Sequence, residues 1–228
     1  LTIRLSLLFS SIFQKHKQPV KDFIYESNNG KDIFFAADKA RTGIGKAGWN
    51  FKIMEYRNIT LEELNMDLFS DFIRRQVVTK VWRRENGRWV IKEEPFIDDW
   101  SPEDLAFGIS CIQNTIKTGG LLYGAFSDGT LKGFISVEAQ IFGGAHKYMD
   151  LTSIHVSADM RKCGIGRILF QKAKEWAKEK GAEKLYISSH SAVESQAFYK
   201  SMGCREAAVY NTEHTEKEPF DIQLECIL

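Results

Sequence analysis

A chain of 228 residues is long enough for one sizeable domain, with or without an appendage. Its formal net charge of +1 supplies no basic surplus for general nucleic-acid binding, and its 43% hydrophobic and 27% charged residues are ordinary for a soluble globular protein. The four cysteines (Cys111, Cys163, Cys204 and Cys226) are widely spaced and make no C-x-x-C pair, so neither a disulfide framework nor a metal site is expected and a reducing cytoplasm fits best. No apolar run reaches the ~18 residues of a membrane helix, so no membrane association is expected.

Residues 1–50 carry scattered Gly and Lys and few periodic apolar positions. They read as an extension or leader, with a small packed appendage as the alternative. The apolar opening Leu1–Phe9 lacks a clear small-residue cleavage site, so a signal peptide is not expected. From residue 51 to 228 the sequence reads as one self-sufficient domain.

Phe51–Asn58 alternates as a strand does. Leu61–Thr79 has helical spacing of Leu64, Leu68, Phe69, Phe72, Ile73 and Val77. Asn86-Gly87 between the β-prone ends of Trp82–Ile97 predicts a hairpin. Ser101-Pro102-Glu103-Asp104 opens a helix with an N-cap, a proline at the first helical position and carboxylates in the first turn; Gly119-Gly120 ends it.

Three strands follow at Leu121–Phe126, Leu131–Phe142 (long enough to carry a bend) and Tyr148–Val156. A loop then leads into an amphipathic helix over Ile165–Lys180, capped by Gly181. Lys184–Ser188 is a short strand, Val193–Met202 a helix ending at Gly203, and Arg205–Tyr210 and Phe220–Ile227 are closing strands. The order predicts an α/β (α+β) layer fold with a mixed central sheet flanked by helices.

The segment Arg161-Lys162-Cys163-Gly164-Ile165-Gly166 joins a strand to a helix. The first turn of a helix has free N–H groups and the positive end of its dipole, and glycines let the backbone approach an anion closely. With Arg161, Lys162 and Arg167 beside it, the segment reads as a phosphate cradle. It lacks the Lys-Ser/Thr of a P-loop and the third glycine of a dinucleotide fingerprint. An earlier Gly43-Ile44-Gly45-Lys46-Ala47-Gly48 matches Gly-x-Gly-x-x-Gly but leads into a strand, so it is read as chance.

The loop resembles the Arg/Gln-x-x-Gly-x-Gly/Ala motif of the GNAT acetyltransferase superfamily. Ser195-Gln196-Ala197-Phe198-Tyr199-Lys200-Ser201-Met202-Gly203 resembles that family's second signature, an Ala-Phe-Tyr helix ending in Gly. The resemblance covers roughly Met54 to Leu228. It implies a sheet of about six to seven strands in which the strands at Ile154–Val156 and Leu185–Ser188 splay apart. Acetyl-CoA would lie between them as co-substrate, with no metal.

On the same resemblance, the pantetheine pairs with the main chain around Ile154, His155 and Val156. The pyrophosphate meets the amides from Lys162 to Arg167, including Cys163, Gly164, Ile165 and Gly166, with Arg161 alongside and Ser195 a further contact. The acceptor is an amine of a small molecule or peptide, and homodimers are frequent in the family. A non-catalytic acyl-CoA-binding module on the same fold is the alternative.

Tyr199 is the candidate general acid, since amine attack on a thioester expels a thiolate that must be protonated; a core aromatic is the alternative. Asp150 is the candidate base, in a position where some members carry a carboxylate, with Glu138 and His155 in reserve. Strict strand alternation puts His155 on the face opposite Asp150. Cys163 next to Lys162 at a helix N-terminus could be a nucleophile, but no His is paired with it in sequence. Phe96-Ile97-Asp98-Asp99-Trp100 combines carboxylates with aromatics in a way that suits a cationic amine, so Asp98, Asp99 and Trp100 are taken as acceptor contacts, with a helix N-terminal role for Asp98 or Asp99 as the equal alternative; Glu138 is a further acceptor contact. Ser189-His190-Ser191 reads as a polar strand-end loop, with a contact of His190 to acceptor or CoA as the alternative. The stretch Glu213–Glu218 reads as a solvated loop, with a substrate contact as the alternative.

Overall fold

The computed structural model describes residues 23–28, 31–38 and 50–228. The apolar opening at Leu1–Phe9 and the Gly43–Gly48 loop lie outside the described residues. The strands are β1 (Phe23–Asn28), β2 (Lys31–Asp38), β3 (Asn50–Asn58), β4 (Gln76–Glu85), β5 (Arg88–Asp98), β6 (Leu121–Ser127), β7 (Thr130–Phe142), β8 (Tyr148–Val156), β9 (Lys184–Ser189), β10 (Arg205–Glu206) and β11 (Ile222–Ile227). The helices are α1 (Pro102–Lys117), α2 (Ile165–Glu179), α3 (Val193–Ser201) and α4 (Thr212–Lys217).

The main sheet runs β1-β2-β3-β6-β7-β8-β9-β11-β10, while β4 and β5 form a separate hairpin. Seven of its strands come from Asn50 onward, the mixed sheet expected; β1 and β2 extend it beyond β3. Neighbours are antiparallel except β8 and β9, which are parallel.

Two helices cover opposite faces. On one, Ile165, Leu169, Phe170 and Ala173 of α2 pack on Ile135, Val137, Leu151 and Ile187. On the other, Ile109 and Ile112 of α1 pack on Leu122, Phe126 and Phe134. The start of α1 follows from local chemistry: Ser101 Oγ accepts from Asp104 N at 3.1 Å and the Asp104 carboxylate accepts from Ser101 N at 3.0 Å, a reciprocal capping box.

Three expectations are corrected. The helix expected over Leu61–Thr79 is a short 3₁₀ turn at Met66–Phe69 followed by β4. Leu64, Leu68, Phe69 and Phe72 still face inward while Ile73 and Val77 are exposed, and Phe69 and Phe72 are held by an aromatic cluster with Trp100 and Phe134, not by a helical ladder. The strand expected over Arg205–Tyr210 stops at Glu206, and Asn211 caps α4 by accepting from Glu213 N.

His155 does not face away from Asp150. Ser136 pairs with Ser153 but Val137 with Leu151, so a β-bulge at Thr152–Ser153 inserts one residue and inverts the alternation beyond it. Asp150 and His155 therefore share the face opposite α2.

Candidate functional site

The parallel pairing of β8 and β9 covers only Tyr148–Asp150 against Lys184–Tyr186. Beyond Asp150 the two strands part, as expected for Ile154–Val156 and Leu185–Ser188. The β7 side of β8 stays paired through Val156, so only its β9-facing edge is left open. Strand β4 crosses the mouth of this fork. At one side Ile73 N donates to Ser157 Oγ and Ala158 N to Ile73 O; at the other, Trp82 N donates to Ser191 O.

The loop after β8 has the geometry of an anion cradle. Lys162 and Gly164 take left-handed φ values of 64° and 87°. Only glycine adopts such a conformation without a steric penalty, which accounts for Gly164. The helix's first main-chain bonds are donated by Arg167 and Ile168 to Gly164 O. The amides from Lys162 to Gly166 thus have no main-chain partner among the described residues, as the first turn of a helix dictates.

Gly166 has a different reason. A Cβ there would stand 3.2 Å from the Phe198 ring and 3.7 Å from Val156. The loop is thereby pressed against α3, where Ser195 and Tyr199 lie. Lys162, Cys163, Gly164 and Arg167 are exposed, and Ile165, the first residue of α2, is buried against the sheet.

Three of the five N–H donors of the Arg161 guanidinium are engaged by the main chain. They donate to the carbonyl oxygens of Val156 (3.1 Å), Arg75 (3.0 Å) and Arg74 (2.7 Å), binding the loop to the stem of the β4–β5 hairpin. The positive charge next to the free amides comes from Lys162 and Arg167.

Tyr199 is 8% exposed, its ring set edge-on to Phe170 and Phe198 on the α2 side of the sheet. Burial, then the charges of Cys204 and Asp221, push its phenol well above the ordinary value, so it holds its proton at neutral pH. Asp150 sits at the apex of the fork on the opposite face. Its Oδ2 lies 2.6 Å from His214 Nε2 on α4, while its Oδ1 is buried without a hydrogen-bond partner among the described residues. The bond to Asp150 raises the pKa of His214, which also stacks on Tyr186.

The remaining candidates are dispersed. The His155 ring lies against Trp100 and Phe134, and burial together with the charges of Arg74 and Arg161 pushes its pKa down to about 3. Its low pKa keeps the ring neutral and makes it a poor proton acceptor. Asp98 is taken up by Arg74 at 2.5 Å, Arg74 also lies over Trp100, Asp99 accepts from Trp100 N, and Glu138 accepts from Thr115 at 2.5 Å. Trp100 and His155 instead line a small cavity of about 160 Å³ against α1.

A larger cavity of about 340 Å³ opens where the hairpin, the β9–α3 turn and the α4–β11 loop meet. Phe96, His190, Glu218, Phe220 and Asp221 line it. The His190 ring lies 5.5 Å from Phe96, and its pKa is lowered, chiefly by burial. Asp221 was not legible as a site residue, because only the antiparallel register of β11 on β9 brings it beside Ser188. The run Glu213–Glu218 is mostly α4, and it contributes both His214 and Glu218 to the site.

Among the described residues no helix is long and apolar enough to cross a membrane, and no three metal-ligating side chains cluster. No sequence match was found among curated proteins. Among solved structures the chain is similar to a nourseothricin acetyltransferase (18% identity, TM-score 0.56, covering 76% of this chain and 98% of that one). It is also similar to a Bacillus anthracis str. Ames protein assigned as a streptothricin acetyltransferase and solved with acetyl coenzyme A (16% identity, TM-score 0.59, 77% and 98% covered). At these identities the likeness is one of fold. The acetyltransferase (GNAT) family matches residues 78–204, more than half of the chain, and the protein belongs to that family.

Proposed function

We propose that this acetyltransferase moves an acetyl group from acetyl-CoA to a primary amine by direct attack within a ternary complex. The observation that carries the reading is the fork. β8 and β9 separate just past Asp150, with a buried carboxylate oxygen on one face of the opening and a protonated phenol associated with the other. A thioester lying in the opening would have both within reach of its two reacting sides.

The residues divide the work. The amides of Lys162 to Gly166 bind the pyrophosphate, with the helix dipole of α2 and the charges of Lys162 and Arg167 adding to the attraction. The open edge of β8 around Ile154 to Val156 pairs with the pantetheine amides as a neighbouring strand would. Asp150 Oδ1 accepts the proton that the attacking amine must lose, directly or through a water. The Tyr199 hydroxyl donates to the departing sulfur and stabilises the thiolate as it forms. Among the described residues Cys163 Sγ bonds Arg161 O and has no hydrogen bond to a base, and no covalent step through it is needed. Residues 51–228 hold all of these groups.

Asp150→Asn is expected to lower kcat by about 10²-fold, the usual contribution of a positioned acid or base, while acetyl-CoA affinity measured by calorimetry stays within about twofold. Unchanged turnover in Asp150→Asn would remove the carboxylate from the mechanism, and failure of wild-type protein to bind acetyl-CoA would remove the transferase reading as a whole.

A further inference from the structure

The 340 Å³ cavity has a chemical character that the transfer reaction alone does not require. Two of its walls are phenyl rings left unusually open for such side chains: Phe220 is 67% and Phe96 38% exposed. Its floor holds two carboxylates, Glu218 and Asp221, both accepting from the single hydroxyl of Ser188 at 3.5 and 3.4 Å.

Neither carboxylate is paired with a cation among the described residues. The two basic side chains that line the same cavity are engaged elsewhere. Arg83 bonds Glu94 and Ser191 at 2.6 Å and lies over one face of Phe220. Lys217 bonds Glu213 at 2.7 Å, one turn back along α4. His190 bonds Ala192 N through Nδ1, and its pKa is lowered, so it adds no charge. His214, beside Asp150, feels the Glu218 charge and lowers the pKa of Asp221. Burial, then the neighbouring Glu218, pushes Asp221 up to about 7, the behaviour of two like charges held together without a counter-charge.

Asp221, Ser188, His214 and Asp150 lie on one face of the sheet, with His214 bonded to Asp150 and within electrostatic range of both Glu218 and Asp221. Asp150 Oδ1 is buried on that face without a hydrogen-bond partner among the described residues.

We infer that the acceptor is a small aliphatic diamine, one nitrogen presented to Asp150 and the second, as ammonium, bound by Glu218 and Asp221 between the rings of Phe96 and Phe220. A cavity of this size sits at the low end of small-molecule sites, which fits a short acceptor. The two carboxylates supply charge complementarity and the ring faces a cation–π contribution. This assignment rests on the transferase reading, and it goes further by naming the acceptor.

The test compares cadaverine with n-pentylamine, equal in chain length and differing by one ammonium, in the wild type, in Glu218→Gln and in Glu218→Gln/Asp221→Asn. The expected result is a kcat/KM for cadaverine at least about tenfold above that for n-pentylamine, carried by KM, falling toward equality in the double variant. Acetyl-CoA affinity measured in the same preparations shows that the variants are folded. A wild-type ratio near one, or a preference that survives in the double variant, overturns the assignment and leaves the transferase reading intact. Cadaverine binding is also read by calorimetry, on free and on acetyl-CoA-saturated protein, so a result is obtained even without turnover. Binding lost in the double variant supports the subsite, and no binding to wild type overturns it. Absence of acetyl-CoA binding would be a failure of the transferase reading, separate from either.

Discussion

Tyr199 and Asp150 illustrate how much a single side chain's surroundings decide. The phenol is held above its ordinary pKa mainly by burial, which keeps it protonated and therefore able to donate to a sulfur. Tyr199→Phe removes that donor with little change in packing against Phe170 and Phe198. It is expected to lower kcat by about 10²-fold while acetyl-CoA binding is retained, as read by thiol release and calorimetry. Equal losses in both would assign Tyr199 to packing.

The His214–Asp150 bond has a pH signature of its own. His214 has a raised folded pKa, so the stabilisation it provides is fully present below the unfolded value of about 6.5 and is lost as pH rises through the folded value. His214→Gln should therefore lower the thermal midpoint more at pH 6 than at pH 9, with about 1.5–3 kcal/mol at stake for a hydrogen bond to a charged group. A deficit independent of pH would mean that His214 acts only through its stacking on Tyr186.

At the scale of elements, the loop between β8 and α2 is shaped by its glycines. Gly164→Ala places a Cβ at φ 87° and is expected to cost about 1–2 kcal/mol in denaturant unfolding and to weaken acetyl-CoA binding. Unchanged affinity would mean that the loop's curvature is not what positions its amides.

This loop and the strand-to-helix order around it were legible in the sequence because they depend on local rules: caps, glycines and periodicity. The segment Leu61–Thr79 was not, since its apolar spacing serves an aromatic cluster assembled from Phe69, Phe72, Trp100 and Phe134, which are distant in sequence. The faces of Asp150 and His155 were misjudged because a bulge leaves no mark on a hydrophobic pattern. Arg161 was correctly placed in the loop, but its three carbonyl acceptors include two from the hairpin stem, contacts that only the tertiary fold creates. Asp98, Glu138 and Trp100 were chosen for their chemistry, and the structure engages them with Arg74, Thr115 and the aromatic cluster. The groups that line the larger cavity come from segments far apart in the chain.

Over the whole molecule, two halves of one sheet are joined by the short parallel contact between β8 and β9, and the proposed chemistry sits where that contact ends. A ligand that spans the fork and the α2 loop couples those halves. Acetyl-CoA at about 100 times its Kd should thus add about 2.7 kcal/mol of stability, or roughly 5–10 °C in thermal midpoint for a chain of this size. No shift at saturation would contradict binding at the fork.

The most direct measurement of acetyl transfer follows both products together, with acetyl-CoA and a panel of primary amines that includes cadaverine. Free CoA thiol and acetylated amine are predicted to appear in equal amounts, only when enzyme and amine are both present, with the protein itself unmodified. Thiol release without acetylated amine, an acetylated protein that forms without acceptor, or no product with any amine would contradict direct transfer across the fork.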